Sequence, residues 1–344
     1  MIESKPTHIK GMNLEELESV VSSQGHKKFR GLQIYKWIYK NKESEVSRMS
    51  NIPAELKQFL THQILTTLSL ENLQTSANNL TKKFAFKASD GKILESVSMI
   101  DGNRHTVCIS SQIGCNVDCK FCATATMGFI RNLTAGEIVD QIIMINKNVK
   151  APITNIVFMG MGEPFLNYNN VMKAASILHS PNGFNFGCNR ITISTAGILP
   201  KIKKYIDSGY KFRLAISLNA IDNKTRSRIM PINNKWPIED IIKEGNRYTK
   251  NSKASIMYEY VLFKNINDSD NDASRLAKLL SNSNSKLNII PYNETGLEFN
   301  RPTNDRIERF ASIIHSKRKN FRVLVRWSKG DDIDAACGQL AVKS

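Results

Sequence analysis

Three cysteines lie within one short segment of the chain, at Cys115, Cys119 and Cys122, in the spacing CxxxCxxC. Thiolates this close together typically bind metal. A structural zinc site needs four protein ligands, and no histidine stands near enough in the sequence to complete a finger pattern. A [4Fe–4S] cluster on three thiolates would keep one iron open for a small molecule. The spacing therefore favours one iron–sulfur cluster per chain. Zinc completed by a distant cysteine, or three unrelated thiols, are the alternatives.

An alternation of short β-rich runs and longer amphipathic runs begins near residue 106. The strand candidates are residues 106–110, 153–159, 190–195, 212–218, 255–262, 286–290 and 321–327, and the helix candidates include 134–148, 170–179, 238–249 and 272–280. This alternation is typical of a mainly parallel sheet covered by helices, either doubly wound or barrel-like. In both architectures the active site lies at the carboxyl ends of the strands.

The part of the chain before the alternation has a different pattern. Residues 12–80 place apolar residues at helical spacing and end in a polar stretch at 74–81. A β-hairpin follows, with strands at 83–87 and 93–97 joined through a turn at Asp90-Gly91. The pattern predicts a small helical unit ahead of the sheet. Its mixture of aromatic and basic residues suits either RNA contacts or plain helix packing.

The chain is strongly basic, with 48 Lys and Arg against 31 Asp and Glu, a net charge of +17 and a pI of about 9.6. This excess favours a polyanionic partner, with nucleic acid ahead of a membrane surface, although a solvated basic surface is the alternative. No apolar run approaches the roughly 20 residues of a membrane-spanning helix, and the first residues lack the apolar stretch of a secretory signal. A cytoplasmic protein is expected.

The cysteine spacing resembles the hallmark of the radical S-adenosylmethionine superfamily. The resemblance extends to Gly160-Met161-Gly162-Glu163-Pro164, which follows a predicted strand and looks like the superfamily's motif for the amino group of the cofactor. It implies that S-adenosylmethionine binds the open iron and is cleaved by electron transfer to methionine and a 5′-deoxyadenosyl radical. It also implies that Gly162 and Glu163 contact the cofactor, because glycine allows close backbone approach and a carboxylate pairs with an ammonium.

From about residue 12 to 342 the sequence is similar to the adenine-C2 RNA methyltransferases. The segments that carry the similarity are CISSQIGC at 108–115, GFIRNLT at 128–134, TISTAG at 192–197, MPIN at 230–233 and GDDIDAACGQL at 330–340. The resemblance implies a TIM-like partial parallel (βα)6 barrel with a small N-terminal helical domain. It implies 23S rRNA, before full ribosome assembly, and tRNA as substrates. It further implies flavodoxin or ferredoxin as the electron donor, a monomer and no membrane partner.

The same resemblance assigns three catalytic roles. Cys337 looks like the cysteine that one S-adenosylmethionine methylates, while a second cofactor molecule supplies the radical that activates this methyl group for addition to the adenine. Cys108 looks like the residue that resolves the resulting covalent adduct through a transient disulfide bond with Cys337, and Glu95 matches the proton acceptor. A radical route is needed because adenine C2 is electron-poor and has neither an acidic proton nor a nucleophilic lone pair.

Further cofactor contacts carry over to the ends of predicted strands. They are Ser194, Ser217, Leu218, Asn219 and Asn293. Asn219 stands where the family commonly has histidine, so ring stacking and titration by a histidine are absent at this contact.

These features predict three domains: 1–80, a helical accessory and RNA-binding domain; 81–327, the barrel with its hairpin; and 328–344, a mobile tail that delivers Cys337. One alternative is the related enzyme type that methylates adenine at C8 of 23S rRNA and confers antibiotic resistance. A second is an iron–sulfur electron-transfer or RNA-binding protein without turnover. The sixth cysteine, Cys188, has no predicted role.

Overall fold

The computed structural model describes residues 8–252 and 254–341. The ends of the first and third predicted domains, 1–7 and 342–344, lie outside the described residues. The helices are α1 (Leu14–Ser23), α2 (Phe29–Tyr35), α3 (Ala54–Thr61), α4 (Ala123–Thr126), α5 (Ala135–Asn148), α6 (Tyr168–His179), α7 (Leu199–Asp207), α8 (Asn223–Ile229), α9 (Ile238–Ser252), α10 (Asp270–Leu280) and α11 (Asn304–Lys317). The strands are β1 (Leu68–Thr75), β2 (Thr81–Ala88), β3 (Ile93–Asp101), β4 (Arg104–Cys108), β5 (Gln112–Gly114), β6 (Phe129–Asn132), β7 (Asn155–Phe158), β8 (Ile191–Thr195), β9 (Arg213–Ser217), β10 (Ile256–Leu262), β11 (Ser285–Pro291) and β12 (Arg322–Val325).

One mixed sheet organises the described chain, in the order β1-β2-β3-β4-β7-β8-β9-β10-β11-β12. From β4 to β12 neighbouring strands are parallel and are joined through helices, which gives six strand–helix units and a final strand. This arrangement confirms the predicted α/β fold of mostly parallel strands. A small antiparallel pair, β5 with β6, stands apart from the sheet.

The predicted hairpin is confirmed as β2 and β3, which pair antiparallel with Lys83 opposite Val97 and Lys87 opposite Ile93. The prediction that residues 12–80 are helical is confirmed for α1, α2 and α3 but is wrong for β1. This strand pairs with β2 at the end of the sheet, and most of its residues are exposed. An exposed edge strand buries too few side chains to show apolar alternation, so it was indistinguishable from a polar helix. The division into three domains stays a prediction.

Helix α5 connects the N-terminal helices to the sheet. It begins with a capping box, in which Thr134 and Glu137 satisfy each other's backbone N–H groups. The buried Asp140 carboxylate accepts hydrogen bonds from the Thr67 backbone N–H (2.7 Å) and hydroxyl (2.9 Å), and it pairs with the buried Lys10 at 3.4 Å. Gln141, one residue further, bonds Ser110 at the end of β4. The helix therefore fixes the segment that leads from β4 into the cysteine loop.

Apolar side chains of the sheet and of its covering helices form a large core, and a second, smaller cluster around Phe263 lies beside the cysteine loop. Within the part of the chain that the structure describes, no helix combines the length and the apolar character needed to cross a bilayer.

Candidate active site

The three clustered cysteines lie on the loop between β5 and α4. The Cys115 N–H donates to the Gly128 carbonyl (2.8 Å), and the Lys120 N–H donates to the Ile229 carbonyl at the end of α8 (2.9 Å). Gly114 has a φ of +71°, and a Cβ there would lie 1.8 Å from the Gly128 oxygen, so only glycine fits this turn. The loop is therefore held in place from two sides by backbone contacts.

The cysteine loop offers thiols that suit a multi-iron group. All three are free and half-buried. Burial raises the pKa of Cys115 to about 12, and burial together with the neighbouring thiols raises the pKa of Cys119. Bound metal cations would reverse this effect and hold the sulfurs as thiolates. No three His, Cys, Asp or Glu side chains among the described residues converge as around a single ion. A four-iron cluster does not require its thiolates to converge on one point, because each thiolate binds a different iron.

Apolar side chains pack beside the cysteine loop. Val117 is buried, and the Phe121 ring lies 5.2 Å from the ring of Phe263, centroid to centroid. Phe263 in turn packs on Tyr292 at 5.1 Å. An apolar shell of this kind restricts water at a metal site.

The glycine-rich motif after β7 lies against the start of the cysteine loop. A Cβ on Gly162 would be 2.4 Å from the Gln112 Cβ, and the φ of Gly162 is +92°. The next residue, Glu163, donates its N–H to the Gln112 Oε1 (2.8 Å). Its carboxylate is buried and accepts from the backbone N–H groups of Phe165 (2.9 Å) and Ala196 (2.7 Å). Burial raises its pKa to about 7. The Glu163 carboxylate thus joins the ends of β7 and β8, and each oxygen keeps a further lone pair for a ligand.

Replacing Gly162 with alanine should lower the free energy of unfolding by about 3 kcal/mol, because the left-handed backbone and the collision with Gln112 both oppose a Cβ. The matched control is Gly25→Ala. Gly25 also has a left-handed φ, +77°, but no atom lies within 4 Å of the added Cβ. It should lose only about 1 kcal/mol. Urea unfolding of the two variants measures the difference. Equal losses would mean that the close approach at Gly162 carries no energetic weight.

The remaining predicted cofactor residues lie at the carboxyl ends of β8, β9 and β11, as expected. Ser194 and Ser217 are half-buried; Ser217 ends β9, and Ser194 is the last residue but one of β8. Leu218 is fully buried, and its backbone N–H donates to the Glu259 carbonyl (2.9 Å). Asn293 is also buried and donates to the Cys337 carbonyl (3.0 Å). The structure therefore brings together the ends of these strands and the C-terminal tail.

Asn219 has a left-handed backbone with a φ of +56°. Asparagine is among the residues that tolerate this conformation. Its side chain is 1% exposed, accepts from the Val261 N–H (2.8 Å) and donates to the Met230 sulfur (3.2 Å). The amide therefore ties β10 and α8 to the strand end, a structural role that the sequence did not indicate.

Arg226, on α8, is a further residue that sequence reasoning missed. It is fully buried and donates to the carbonyls of Ala196 (2.7 Å), Ser217 (2.9 Å) and Leu218 (3.0 Å), and to the Asn233 side chain (3.1 Å). Burial lowers its pKa to about 10. The guanidinium thus joins the ends of β8 and β9. The sequence gives no signal of this buried role, because Arg226 is a lone arginine in a polar helix.

We expect Arg226→Met to lower the free energy of unfolding by about 3–5 kcal/mol, because it removes a buried charged hydrogen-bond network and leaves carbonyls unpaired. Arg228→Met is the matched control on the same helix, where the side chain is exposed, and should change stability by less than about 0.5 kcal/mol. Chemical unfolding followed by circular dichroism checks both values. A mild effect at Arg226 would contradict its role in joining the strand ends.

The C-terminal tail is docked beside the cysteine loop. The Gly338 carbonyl accepts from the Ala123 N–H (2.8 Å), and the Leu340 carbonyl accepts from the Thr124 hydroxyl (2.6 Å). The Gln339 amide donates to the Glu294 carbonyl (3.0 Å). The sequence predicted a mobile tail. In this structure its described part, up to residue 341, is bonded to both the cysteine loop and the segment after β11.

Cys337 and Cys108 approach the same space. Cys337 is reachable by solvent, yet the protein surrounds its thiol closely enough that burial raises the pKa to about 11. Cys108, at the end of β4, is buried, and burial raises its pKa to about 12, with the neighbouring Cys337 thiol adding to the shift. Both thiols are free. The structure therefore brings the predicted methyl acceptor and the predicted resolving cysteine together without a bond between them.

Glu95 lies on β3, the strand that pairs with β4. Val97, which points to the same face, is directly opposite Cys108. One Glu95 oxygen is 3.6 Å from the Lys83 ammonium, and within the described chain the other is buried without a hydrogen bond. Burial raises the pKa of Glu95, and Lys83 opposes this shift. A buried carboxylate with a free oxygen suits a proton acceptor.

Glu259, on β10, is a second buried carboxylate that the sequence analysis did not single out. One oxygen accepts from the Asn288 amide (2.8 Å), and the other has no partner among the described residues. Its charge raises the pKa of Cys337, so the two side chains lie near each other. A signal was available in the sequence, because Glu259 interrupts an otherwise apolar strand between Tyr258 and Tyr260.

The comparison with known proteins agrees with this geometry. Residues 109–277 match the radical SAM superfamily, and residues 7–65 match the ribosomal RNA large subunit methyltransferase N-terminal domain. The chain is 41% identical to the dual-specificity RNA methyltransferase RlmN of Geotalea uraniireducens, over 96% of each chain. It is 43% identical to the RlmN of Lawsonia intracellularis, over 94% of each chain.

One solved structure is also similar to this chain over nearly its full length. The crystal structure of a radical SAM methyltransferase from Sphaerobacter thermophilus superposes with a TM-score of 0.93 and 38% identity, over 98% of this chain and 100% of that chain. Identity at this level over nearly the full length shows that the chain belongs to the RlmN family of radical SAM dual-specificity RNA methyltransferases.

Proposed function

We propose that this enzyme methylates C2 of an adenine in 23S rRNA and of an adenine in some tRNAs, using two S-adenosylmethionine molecules per turnover. The observation that carries the proposal is the meeting of two free thiols, Cys337 and Cys108, beside the loop of three clustered cysteines. The relatives' description as dual-specificity RNA methyltransferases supports the RNA substrate.

Cys115, Cys119 and Cys122 would hold a [4Fe–4S] cluster, which supplies the electron for cleavage of S-adenosylmethionine at its open iron. The cofactor would bind along the ends of the neighbouring strands. The contacting residues would be Gly162, Glu163, Ser194, Ser217, Leu218, Asn219 and Asn293. Gly162 is required by its close packing on Gln112, and the buried Glu163 carboxylate keeps lone pairs for an ammonium.

Cys337 would accept the methyl group on its sulfur. Asn293 holds its backbone carbonyl in place and also accepts a short hydrogen bond from Ser328, so the residue that would touch the cofactor also positions the tail. With a pKa of about 11, the Cys337 thiol is neutral at pH 7, and its proton must leave as the sulfur takes the methyl group. The position of Cys337 beside Cys108 then keeps the methylated sulfur next to the resolving thiol.

Resolution would use Glu95 and Cys108. Once the carbon radical on the Cys337 sulfur has added to adenine C2, the adduct must lose one electron and the C2 proton. The electron would pass back to the iron–sulfur group, and Glu95 would take the proton through its free carboxylate oxygen. Cys108 attacks the Cys337 sulfur, so a sulfur–sulfur bond forms as the bond from Cys337 to the methylene carbon breaks. The methylene carbon leaves with the electron pair and takes up a proton to become the product methyl group. Reduction of the disulfide returns the free thiols.

Nucleoside mass spectrometry tests the regiochemistry. The reconstituted, reduced enzyme is incubated anaerobically with protein-free ribosomal RNA and labelled S-adenosylmethionine. We expect labelled 2-methyladenosine. Labelled 8-methyladenosine would instead assign the chain to the resistance-type activity, which shares these cysteines. No methylated adenine, despite an intact cluster and cofactor cleavage, would contradict the substrate assignment and favour a protein without methyl transfer.

We further propose that the enzyme acts in the cytoplasm as a monomer on RNA before full ribosome assembly. Flavodoxin or ferredoxin would supply electrons to the cluster. The basic surface fits a polyanionic partner, since the net charge is +17.

A further inference from the structure

Six basic side chains line the inner face of the parallel sheet, mostly at the amino-terminal ends of its strands. This basic lining consists of Arg104, Arg190, Arg213, Lys286, Arg322 and Arg326. Lys286 and Arg322 are direct partners across β11 and β12. Arg326 lies four residues beyond Arg322 and so points to the same face of the sheet.

These side chains share one concave space. Burial lowers the pKa of Arg104, and Arg326, Arg213 and Arg190 lower it further. In the described sheet, five strands separate β4, which carries Arg104, from β12, which precedes Arg326. Strands that far apart can place their side chains near each other only across the inner face. The pKa of Lys286 is likewise lowered by burial and then by the charges of Arg213 and Arg322, so the lining is continuous.

The lining is not neutralised. None of the six forms an ion pair with another residue in the ranges 8–252 and 254–341. Arg104 donates to the Thr106 hydroxyl (3.2 Å), and Arg190 donates to the Asn155 amide oxygen (3.3 Å). Two carboxylates act on the lining from nearby, Asp101 on Arg104 and Arg326, and Glu259 on Arg326. Asp101 is also paired with Lys329 at 2.8 Å, so these two charges offset only part of the six. Like charges facing each other destabilise the free protein, so a bound anion is expected to offset the repulsion.

Protection of an edge strand explains only part of this pattern. Charged residues on an edge strand prevent pairing with another chain, and β12 is an edge strand. Arg104 and Arg213, however, lie on strands paired on both sides. Their charges serve no such purpose, and the like-charge repulsion remains.

The lining leads to the reactive cysteine. Arg326 is exposed and lowers the pKa of both Cys337 and Cys108, so it stands between the lining and these thiols. Beside it, Leu324 is 56% exposed and Trp327 is 43% exposed. The Arg301 guanidinium lies 5.8 Å from the centroid of the Trp327 ring, and an exposed aromatic ring next to arginines offers a stacking surface for an unpaired base. A chain of phosphates with bases thus fits this surface better than a compact acidic protein.

We propose that the basic lining binds the phosphate backbone of the substrate RNA on the side of the sheet that leads to Cys337. The inference rests on the proposed function and names the surface that holds its substrate. It adds a surface to the sequence-based expectation, which placed RNA contacts on the N-terminal domain of residues 1–80.

The test uses the full-length reconstituted enzyme and fluorescein-labelled transfer RNA, with anisotropy recorded over a range of salt concentrations. The variant is Arg213→Gln with Arg322→Gln. The control is Lys243→Gln with Lys278→Gln, which removes the same charge from exposed positions on α9 and α10. We expect the variant to bind about tenfold or more weakly and its log–log salt slope to fall by about 1–2. The control should match the wild-type protein.

Two further readouts keep the outcome interpretable. Thermal unfolding of the glutamine variant should occur at the wild-type temperature or above it, because the substitutions relieve repulsion. Arg213→Lys with Arg322→Lys, which keeps both charges, should retain most of the affinity. Wild-type affinity and salt slope in the glutamine variant would overturn the proposal. So would intact RNA binding with slower reduction by flavodoxin, which would assign the lining to an acidic protein.

The nucleoside product of the wild-type enzyme separates this inference from the proposed function. If the wild-type enzyme forms 2-methyladenosine and the variant binds RNA normally, only the assignment of the lining fails. If the variant loses RNA binding but the wild-type enzyme forms no methylated adenine, the assignment of the lining to RNA binding is upheld. The proposed reaction is then wrong.

Discussion

Cys337→Ala is expected to abolish methyl transfer to RNA while leaving the iron–sulfur cluster in place. The alanine cannot accept a methyl group, and a direct displacement at the electron-poor adenine C2 has no nucleophile to use. The loss should be at least about 10⁴-fold, as for removal of other covalent catalytic groups. Visible absorption of the reconstituted protein reports the cluster, and labelled nucleoside analysis reports the product.

Two other cysteines provide controls for this variant. Cys119→Ala removes a predicted cluster ligand and should lose both the visible absorption and the activity. Cys188, half-buried before β8, lies outside the site, and Cys188→Ala should keep both. Normal turnover by Cys337→Ala would contradict the methyl-acceptor role.

Cys108→Ala is expected to trap the RNA covalently on the protein. In the proposed sequence the RNA is attached to Cys337 through the transferred carbon until the Cys108 thiol attacks the sulfur. The structure brings the Cys337 thiol close enough to Cys108 for its charge to raise the pKa of Cys108. Without this thiol the adduct has no route to release, so it should accumulate to nearly one per active enzyme. A denaturing gel with labelled RNA detects it.

The control for trapping is the double variant Cys108→Ala with Cys337→Ala, which has no attachment point and should give only free RNA. Free RNA under turnover conditions with the single Cys108→Ala variant would count against its role as the resolving residue.

The sequence predicted the elements that carry strong local patterns. The predicted positions of the parallel strands and their helices are close to the observed ones, because buried strands and amphipathic helices have distinct periodicities. The hairpin of β2 and β3 was also found, because Asp90-Gly91 marks its turn. The exposed edge strand β1 was missed, since its register is fixed by pairing with β2 and not by its own apolar pattern.

The site was predictable only where chemistry requires particular residue types at fixed spacing. The clustered cysteines and the motif of Gly162 and Glu163 meet that condition, and the resemblance supplied Cys337, Cys108 and Glu95. The roles of Arg226 and Glu259 depend on tertiary packing. This packing places Arg226 of α8 against the ends of β8 and β9, and it places Glu259 near Cys337. Asn219 illustrates the same limit, because its left-handed backbone is visible only in the fold.

The most direct test of the account follows the methyl group through Cys337. The enzyme is first methylated with S-adenosylmethionine that carries a carbon-13 methyl group, freed of excess cofactor, and then mixed with RNA and unlabelled S-adenosylmethionine for a single turnover. The adenine methyl formed in this turnover should contain the carbon-13 from the protein. An unlabelled adenine methyl would show that the group comes directly from the cofactor in solution and would contradict the role of Cys337.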